Sequence, residues 1–330
     1  MSQTNPLPKR RRSLGVWLLD HLMLLLSILL LASAFILRPS LAEAPASFLI
    51  NLLNLTVSRL PLALGAAACL IVAGPDLSSG RVAGLAACLA AFLAQRMGDA
   101  LPEWALLLLL SGVCAVIGLI GGVLVGQCKW QPLAVTLGIQ FLLYGAIMAL
   151  SDGMAIRYAT ESLLRTTLLT VDRGRVQLYV PLSLALVVGI GLIWKYSRLG
   201  KNMYRVGNDP EAARADGVNV GLTIAAVFAL AGALYGYTGL VDVARAGAFT
   251  PSLGQGYELD ALAAALIGGY TLKSGKGTFS GVIVGTLLLQ VITNCLSYMG
   301  TSLYVLYAVK GAVVLLALLV NALRERAQRE

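Results

Sequence analysis

The chain has 330 residues, of which 58% are hydrophobic and only 12% are charged, and its mean hydropathy is +0.81. A soluble domain of this length carries about twice that charged fraction, so the composition excludes a soluble protein and indicates a membrane protein. The net charge of +9 could suggest a nucleic-acid partner. However, the Lys and Arg residues lie mainly in short segments between apolar runs, which is the positive-inside pattern of a membrane protein. We therefore predict no nucleic-acid partner.

Cysteine and histidine usage argues against a metal site. None of the five cysteines forms a C-x-x-C pair, and the single histidine, His21, stands alone near the start of the first apolar run. Metal sites need clustered ligands. The sequence therefore predicts no metal, no disulfide framework and no histidine-based catalysis.

Apolar runs long enough to cross the hydrocarbon core recur along the chain and predict an all-α, polytopic membrane protein with about ten transmembrane helices. We predict these spans at residues 17–37, 55–73, 80–96, 104–127, 133–150, 178–196, 220–242, 259–270, 278–296 and 302–321. The basic residues 9–12 before the first span indicate a cytoplasmic N-terminus, and an even number of spans returns the C-terminus to the cytoplasm. The predicted organisation is a basic cytoplasmic tail (1–13), one membrane domain (14–323) and a cytoplasmic tail (324–330).

The distribution of charge supports this topology. Of the 25 Lys and Arg residues, sixteen, including Arg81, lie on the predicted cytoplasmic side. Eight, including Arg59 and Arg245, lie on the predicted external side, and Lys310 lies within the last span. Four of the external residues share the longest loop, 151–177, and the translocation of long segments depends less on their charge.

Glycines inside the spans predict close helix packing. Gly118, Gly121, Gly122 and Gly126 lie in the fourth predicted span. Small residues at such spacing allow two helix backbones to approach each other, so we expect this face to pack against another helix of the chain.

The segment GPDLSSGR at residues 74–81 separates the second and third spans. A backbone break at membrane depth is tolerated where it is buried in protein or lines a cavity. We expect Asp76 to accept hydrogen bonds from the amides that begin the next helix, as a capping residue does. The alternative is that Asp76 contacts a transported solute.

The segment at residues 257–281 combines a polar start, a short apolar helix and a glycine-rich loop. Five residues, not four, separate Gly269 from Gly275, and a glycine follows Lys276, so the loop does not match an ATP-binding P-loop. Ionisable groups near membrane depth require partners, which applies to Glu258 and Asp260 at the start of this segment. We expect Lys310 to pair with a carboxylate from another span.

The polar stretch RLGKNMYRVGNDPEAARADGVNVG at residues 198–221 predicts a short helix in water. Asp209 is suited to cap the helix, Pro210 to occupy its first position, and Glu211 to lie at the positive end of the helix dipole. Gly217 is suited to end the helix after about two turns.

A helix this short is marginal on its own in water. Ala212 and Ala213 are strong helix formers, and their side chains are small enough to fit into a groove. We therefore expect the helix to rest either on the chain's own membrane helices or on another protein.

Together these segments resemble the permease subunit of sugar ABC importers, in the branch that carries ribose, xylose and galactose. The resemblance covers about residues 51–321. It rests on GPDLSSGR, QPLAVTLG at 131–138, the 198–221 stretch, YELDALAAALIGG and GKGT followed by spaced glycines, in this order. Within the branch, GPDLSSGRVAGLAA and DGVNVGL are most similar to permeases for galactose and methyl galactosides.

The resemblance implies a multi-pass permease of the bacterial inner membrane that performs no covalent chemistry. The implied partners are a cytoplasmic ATP-binding subunit that holds ATP and Mg²⁺, an external sugar-binding protein, membrane lipid, and a second permease copy or a paralogue, most simply in a homodimer. It also implies that residues 197–219 form a coupling loop whose short helix docks on the ATPase. The implied contact residues are Asp209, Pro210, Glu211, Ala212, Ala213, Arg214 and Gly217.

Candidates for the translocation pathway are polar or aromatic residues on spans, namely Gln140, Tyr144, Tyr235 and Asn294. Each could equally be a helix–helix contact.

Three other functions remain open. An ion-coupled secondary transporter would act alone and has no need of a docking helix. An ABC permease could carry another small solute, such as a nucleoside or a signalling molecule. A membrane enzyme would require paired carboxylates or histidines facing a cavity, which a single histidine does not favour.

Overall fold

The fold is known from a computed structural model that describes residues 25, 28, 29, 31–33, 36, 45–97, 102–157, 170–171, 176–177, 179–270 and 277–329. The predicted basic tail and most of the first predicted span lie outside these residues. The positions described between 25 and 36 are helical. Residues 271–276, within the predicted glycine-rich loop, also lie outside the described part.

The described chain from residue 45 onward forms eleven α-helices and four short strands. The helices are α1 (Pro45–Val72), α2 (Ser79–Met97), α3 (Glu103–Gly126), α4 (Pro132–Ser151), α5 (Tyr179–Tyr196), α6 (Arg198–Asn208), α7 (Pro210–Ala215), α8 (Val220–Ala246), α9 (Tyr257–Ile267), α10 (Phe279–Tyr298) and α11 (Leu303–Arg329). The strands are β1 (Ile156–Arg157), β2 (Thr170–Val171), β3 (Val176–Gln177) and β4 (Ala248–Phe249).

Six of these helices, α1, α3, α4, α5, α8 and α10, are long and apolar enough to cross a membrane. This agrees with the predicted helical, multi-pass class. Helices α2, α9 and α11 coincide with further predicted spans but do not belong to this set of six, and the apolar part of α11 is the shorter segment Tyr304–Val320. The number of ten spans and the side on which the termini lie therefore stay predictions.

The core is organised around α8, which packs against α3, α1 and α2. Along α3, a side chain at Gly118 would collide with the carbonyl oxygen of Phe228, and Gly126 meets Gly221. Helix α3 is therefore antiparallel to α8, and the predicted close approach through the α3 glycines is confirmed.

Two short strand pairs depart from the all-α prediction. Ile156 pairs with Phe249 in the antiparallel β1–β4 pair, and Thr170 pairs with Gln177 in the β2–β3 pair. Strand β1 follows α4 and β4 follows α8, so the C-terminal ends of these two helices lie on the same side of the molecule. The predicted topology likewise directs both helices toward the same side.

Contacts along α8 show the depth of the GPDLSSGR break. Asp76 lies beside Tyr235, near the middle of α8, and Gly239 packs on the carbonyl oxygen of Ala83. The guanidinium of Arg81 donates to the carbonyl of Pro251, in the loop that follows β4. The break therefore lies beside the middle of α8, and Arg81, which the sequence interpretation places on the cytoplasmic side, lies buried within α2 and not in a loop.

Candidate functional site

The predicted short helix is present as α7, and its first turn is capped as expected. The Oδ1 atom of Asp209 accepts hydrogen bonds from the backbone N–H groups of Glu211 and Ala212, at 2.9 and 3.0 Å. Pro210 occupies the first helical position, where its missing N–H group leaves no helix hydrogen bond unmade.

Helix α7 ends at a glycine. Gly217 has a φ of +81°, in the left-handed region that favours glycine. Its N–H group donates to the carbonyl of Arg214, and the N–H group of Val218 donates to the carbonyl of Ala213 at 2.9 Å. These bonds satisfy carbonyls that would otherwise be unpaired at the helix end, and the predicted stop at Gly217 is confirmed.

The two sides of α7 differ in exposure. Glu211, Ala212 and Arg214 are exposed, whereas Ala213 is only 2% exposed and belongs to the chain's main core. The expectation that Ala213 contacts a partner is therefore corrected in this conformation, because its side chain already rests on the chain's own helices. Beside α7 lies an open groove lined by Gly126, Gln127, Arg214, Gly217, Val218, Asn219, Val220 and Gly221.

Helix α6 was not foreseen by the sequence interpretation, which places one helix in the 198–221 stretch. The Oγ atom of Ser197 caps it by accepting from the N–H group of Gly200 at 3.1 Å. Gly200, Met203 and Val206 form its buried face. Their spacing of three residues, after a capping serine, was the available signal. We call residues 197–217 the α6–α7 element.

A hydrogen-bonded aromatic cluster joins α6 to the start of α10. The Nε1–H group of Trp194, in the last turn of α5, donates to the hydroxyl of Tyr204 at 2.8 Å. That hydroxyl donates to the carbonyl of Gly277 at 2.8 Å. Burial raises the pKa of Tyr204 above its ordinary value, although the hydrogen bond from Trp194 acts in the opposite direction. The phenol therefore stays protonated and able to donate at neutral pH.

At the break beside α8, Asp76 is almost completely buried, and both of its carboxylate oxygens accept hydrogen bonds. Its Oδ1 atom accepts from the N–H group and the hydroxyl of Ser78, at 2.9 and 2.7 Å. Its Oδ2 atom accepts from the hydroxyl of Tyr235 at 3.1 Å. This is the kind of capping contact that the sequence predicts, with an additional bond to α8 that local sequence does not reveal.

The start of α2 is interlocked with the loop that precedes α9. A side chain at Gly80 would collide with the carbonyl of Gly254 and the carboxylate of Glu258, and one at Gly84 would contact the carbonyl of Leu253. The Oε2 atom of Glu258 is buried without a hydrogen-bond partner. Absence of a side chain at Gly80 and Gly84 is thus what allows the two segments to meet.

A buried ion pair joins α1 to α8. The Nη1 atom of Arg59 lies 3.0 Å from Oδ2 of Asp242, although the angles are not those of a hydrogen bond. The guanidinium also lies over the ring of Tyr257, 3.8 Å from its centroid. Arg59, which the sequence interpretation places on the external side, lies within α1 and is held inside the bundle by these contacts.

A second ion pair joins α9 to α11. The Nζ atom of Lys310 lies 2.8 Å from Oδ2 of Asp260. Both side chains are mostly buried, with exposed fractions of 19% and 26%. Lys310 thus has the carboxylate neighbour from another helix that the sequence leads us to expect.

The four pathway candidates fall into two groups. Tyr235 and Asn294 are only 1% and 4% exposed, so they pack between helices and border no open pathway in this conformation. Gln140 is half-buried and Tyr144 is 40% exposed, with the guanidinium of Arg81 lying 4.6 Å from the Tyr144 ring. Gln140 and Tyr144, both on α4, thus retain exposed surface, and a pathway role for any of the four stays a prediction.

All five cysteines are free, and all except Cys128 are buried. Within the described ranges, no group of three His, Cys, Asp or Glu side chains could hold a metal ion. The absence of a metal site in the whole chain stays a prediction.

Comparison with known proteins identifies the chain's relatives. The family model described as the permease component of the branched-chain amino acid transport system matches residues 48–318. The galactose/methyl galactoside import permease protein MglC of Escherichia coli is 34% identical over 291 residues, which cover 83% of this chain and 86% of the relative. The same protein of Salmonella typhimurium is 32% identical and covers 95% of this chain and 97% of the relative.

A second type of relative is similar over an equally long region. The ribose import permease protein RbsC of Escherichia coli is 32% identical over 324 residues, which cover 96% of this chain and 98% of the relative. The comparison with solved structures gives no significant match. The resemblance drawn from the sequence motifs is confirmed, and the chain belongs to the family of membrane permease components that this model describes.

Proposed function

We propose that this chain is the permease subunit of an ATP-driven monosaccharide importer in the bacterial inner membrane, with galactose or a methyl galactoside as the first candidate substrate. The names of relatives that match most of the chain support a sugar, and both galactose and ribose occur among them. Ribose is therefore the second substrate to test.

The observation that carries the coupling part of this proposal is the α6–α7 element. One face of it rests on the membrane helices through Met203, Val206 and Ala213. Glu211 and Arg214 are exposed, and Arg214 lines an open groove. A helix too short to be stable alone is thus held rigidly with a charged face uncovered. This arrangement suits docking of a cytoplasmic ATP-binding subunit, which would hold ATP and Mg²⁺.

The remaining partners follow from the same proposal. A sugar-binding protein would deliver substrate at the opposite end of the bundle, and a second permease copy would complete the pathway. Gln140 and Tyr144 on α4 are the residues we propose to face that pathway, because both retain exposed surface while Tyr235 and Asn294 do not.

The first experiment is a pull-down of the tagged chain from its host in mild detergent, with an ATPase assay of the eluate. Glu211→Arg reverses an exposed charge, and Ala212→Trp adds bulk to an exposed face of α7. We expect both variants to lose the ATPase that accompanies the wild type. Ser252→Arg is the matched control, because Ser252 is exposed in the loop after β4, away from α7.

Loss of ATPase from the α7 variants, with retention in the Ser252→Arg control, supports docking through α7. If no ATPase accompanies the wild type while the chain still supports uptake alone, the proposal is wrong and an ion-coupled secondary transporter is favoured. Uptake by the reconstituted complex with labelled galactose, methyl galactoside, ribose and a nucleoside then identifies the substrate.

A further inference from the structure

We propose that Tyr204 is a positioning residue that transmits movement of the α6–α7 element to the α9–α10 unit, and that sugar transport per ATP hydrolysed depends on its hydroxyl. This inference rests on the proposed function, because it concerns how an attached ATPase would act on the membrane helices.

The hydroxyl of Tyr204 is placed between two elements that the chain does not connect directly. It accepts from Trp194 at the end of α5 and donates to the carbonyl of Gly277, two residues before α10. Both distances are 2.8 Å, within the normal range for hydrogen bonds of these types. The ring of Phe279 packs edge-on against Trp194, with centroids 5.6 Å apart. The cluster therefore joins α5, α6 and α10.

Gly277 is also packed tightly against Tyr270. A side chain at Gly277 would collide with the ring of Tyr270, which is fully buried just after α9. The hydroxyl of Tyr270 donates to the carbonyl of Thr278 at 3.1 Å. Movement of Tyr204 toward Gly277 would therefore be resisted by Tyr270, which already contacts Gly277 and Thr278.

Helices α9 and α10 form one unit because their backbones are in close contact. A side chain at Gly285 would collide with the carbonyl of Ala264, and one at Gly281 with the carbonyl of Gly268. Packed helices in such close contact move together, because close-packed interiors transmit displacement.

The N-terminal end of α9, opposite the end near Gly277, lies at the polar centre of the bundle. Tyr257, its first residue, carries the guanidinium of Arg59 on its ring, and Asp260 pairs with Lys310. Displacement that enters at Gly277 thus arrives beside the buried ion pairs and the break at Asp76. Helix α7, by contrast, is continuous in sequence with α8, so the Tyr204 contact gives α9 and α10 a separate connection to the docking element.

Tyr204→Phe tests this inference, since it keeps the ring packing and removes only the hydroxyl. Of the two hydrogen bonds lost, the one to the carbonyl of Gly277 is the link between the two elements, and a single hydrogen bond contributes a factor of about two to ten. In the permease–ATPase complex reconstituted in liposomes with its binding protein, we expect sugar uptake per ATP hydrolysed to fall by about threefold to tenfold. The amount of ATPase that co-purifies should not change, because α7 is untouched.

Tyr196→Phe is the matched control, because Tyr196 is 65% exposed in the same region and loses the same group. If Tyr204→Phe fails to fold, Trp194→Phe supplies the test, since it removes the N–H donor to the Tyr204 hydroxyl and keeps an aromatic ring against Phe279. We expect Trp194→Phe to lower the ratio by less than Tyr204→Phe does.

If sugar uptake per ATP hydrolysed equals that of the wild type in both Tyr204→Phe and Trp194→Phe, the inference is overturned and the proposed function still stands. An equal fall in Tyr196→Phe also overturns it, because the effect would then not depend on the link to Gly277. If the wild-type complex shows no ATP-dependent uptake, the proposed function itself fails, and this inference fails with it.

Discussion

The interior of the bundle and the α6–α7 element differ in where their residues find interaction partners. In the interior, α3 and α8 touch through glycine backbone, and Arg59 finds its counter-charge on another helix. In the α6–α7 element, the carboxylate of Asp209 accepts from amides of its own first turn, and Glu211 and Arg214 are exposed.

Because of this difference, substitutions in the interior should affect folding, and substitutions on the exposed face of α7 should affect partner binding. An interior residue contacts parts of the chain that cannot move away, so changing it affects the stability of the whole bundle. An exposed residue of α7 contacts little of its own chain, so changing it should affect a docked protein and not the fold. The following predictions test this separation, from the largest expected effect on stability to the smallest.

Asp242→Ala should have the largest effect. It leaves the buried guanidinium of Arg59 without its counter-charge, and breaking a buried pair by removing one partner costs about 3–5 kcal/mol. The free energy of unfolding, measured by denaturant titration in detergent micelles, should fall accordingly. Adding Arg59→Leu to this variant removes the unpaired buried charge and should restore much of the lost free energy of unfolding. A double variant no more stable than the single one would contradict the electrostatic explanation.

Gly118→Ala should destabilise the bundle by about 1–3 kcal/mol, because overpacking a close contact forces helices apart. Its new methyl group would collide with the carbonyl of Phe228 on α8. Gly112→Ala is the control on the same helix, since nothing lies within 4 Å of a side chain at that position. We expect that control to have unchanged or slightly raised thermal stability, because alanine favours helix. Equal losses in both variants would show that the α3–α8 contact is not tight.

Asp209→Ala should act locally. Loss of an N-cap costs about 1 kcal/mol of helix stability, and the two capping bonds serve only Glu211 and Ala212. Amide hydrogen exchange should accelerate in residues 210–217 and stay unchanged in α8. Asp209→Asn retains a capping oxygen and should exchange nearly as slowly as the wild type. Faster exchange throughout α8 would mean that α7 and the bundle unfold together.

Glu211→Arg should have the smallest effect on stability, below about 1 kcal/mol, because it replaces a solvent-exposed residue and disturbs only the dipole of the short helix α7. Its thermal unfolding in detergent should coincide with that of the wild type even though we expect ATPase binding to be lost. A lowered unfolding temperature would indicate that Glu211 supports the fold, and would weaken the separation of folding from docking.

Where the sequence carried local signals, it predicted structure well. The cap at Asp209 and the stop at Gly217 depend on neighbouring backbone groups only, so residue type and position suffice to predict both. The break at residues 74–81 was likewise visible from Gly74 and Pro75. Helix α6 was missed because its buried face, Gly200, Met203 and Val206, is short and lies among charged residues that resemble a loop.

Contacts between distant segments could not be predicted. Arg59 was counted among the charges of the external side, whereas the structure places it within α1 and pairs it with Asp242. Tyr235 resembles a pathway residue in sequence, but its hydroxyl binds buried Asp76. The sequence led us to expect a carboxylate beside Lys310, yet only the fold identifies Asp260.

The Arg59–Asp242 pair also bears on how the chain is made. Arg59 leaves the ribosome with α1, well before α8 and its Asp242 have been synthesised. An arginine at the centre of an inserting helix is disfavoured by about 2.5–3.5 kcal/mol, so α1 enters the bilayer at a disadvantage that only a later segment removes. We therefore expect α1 to remain beside the insertion machinery until α8 arrives, and nascent chains truncated before residue 242 to retain α1 less firmly in the membrane.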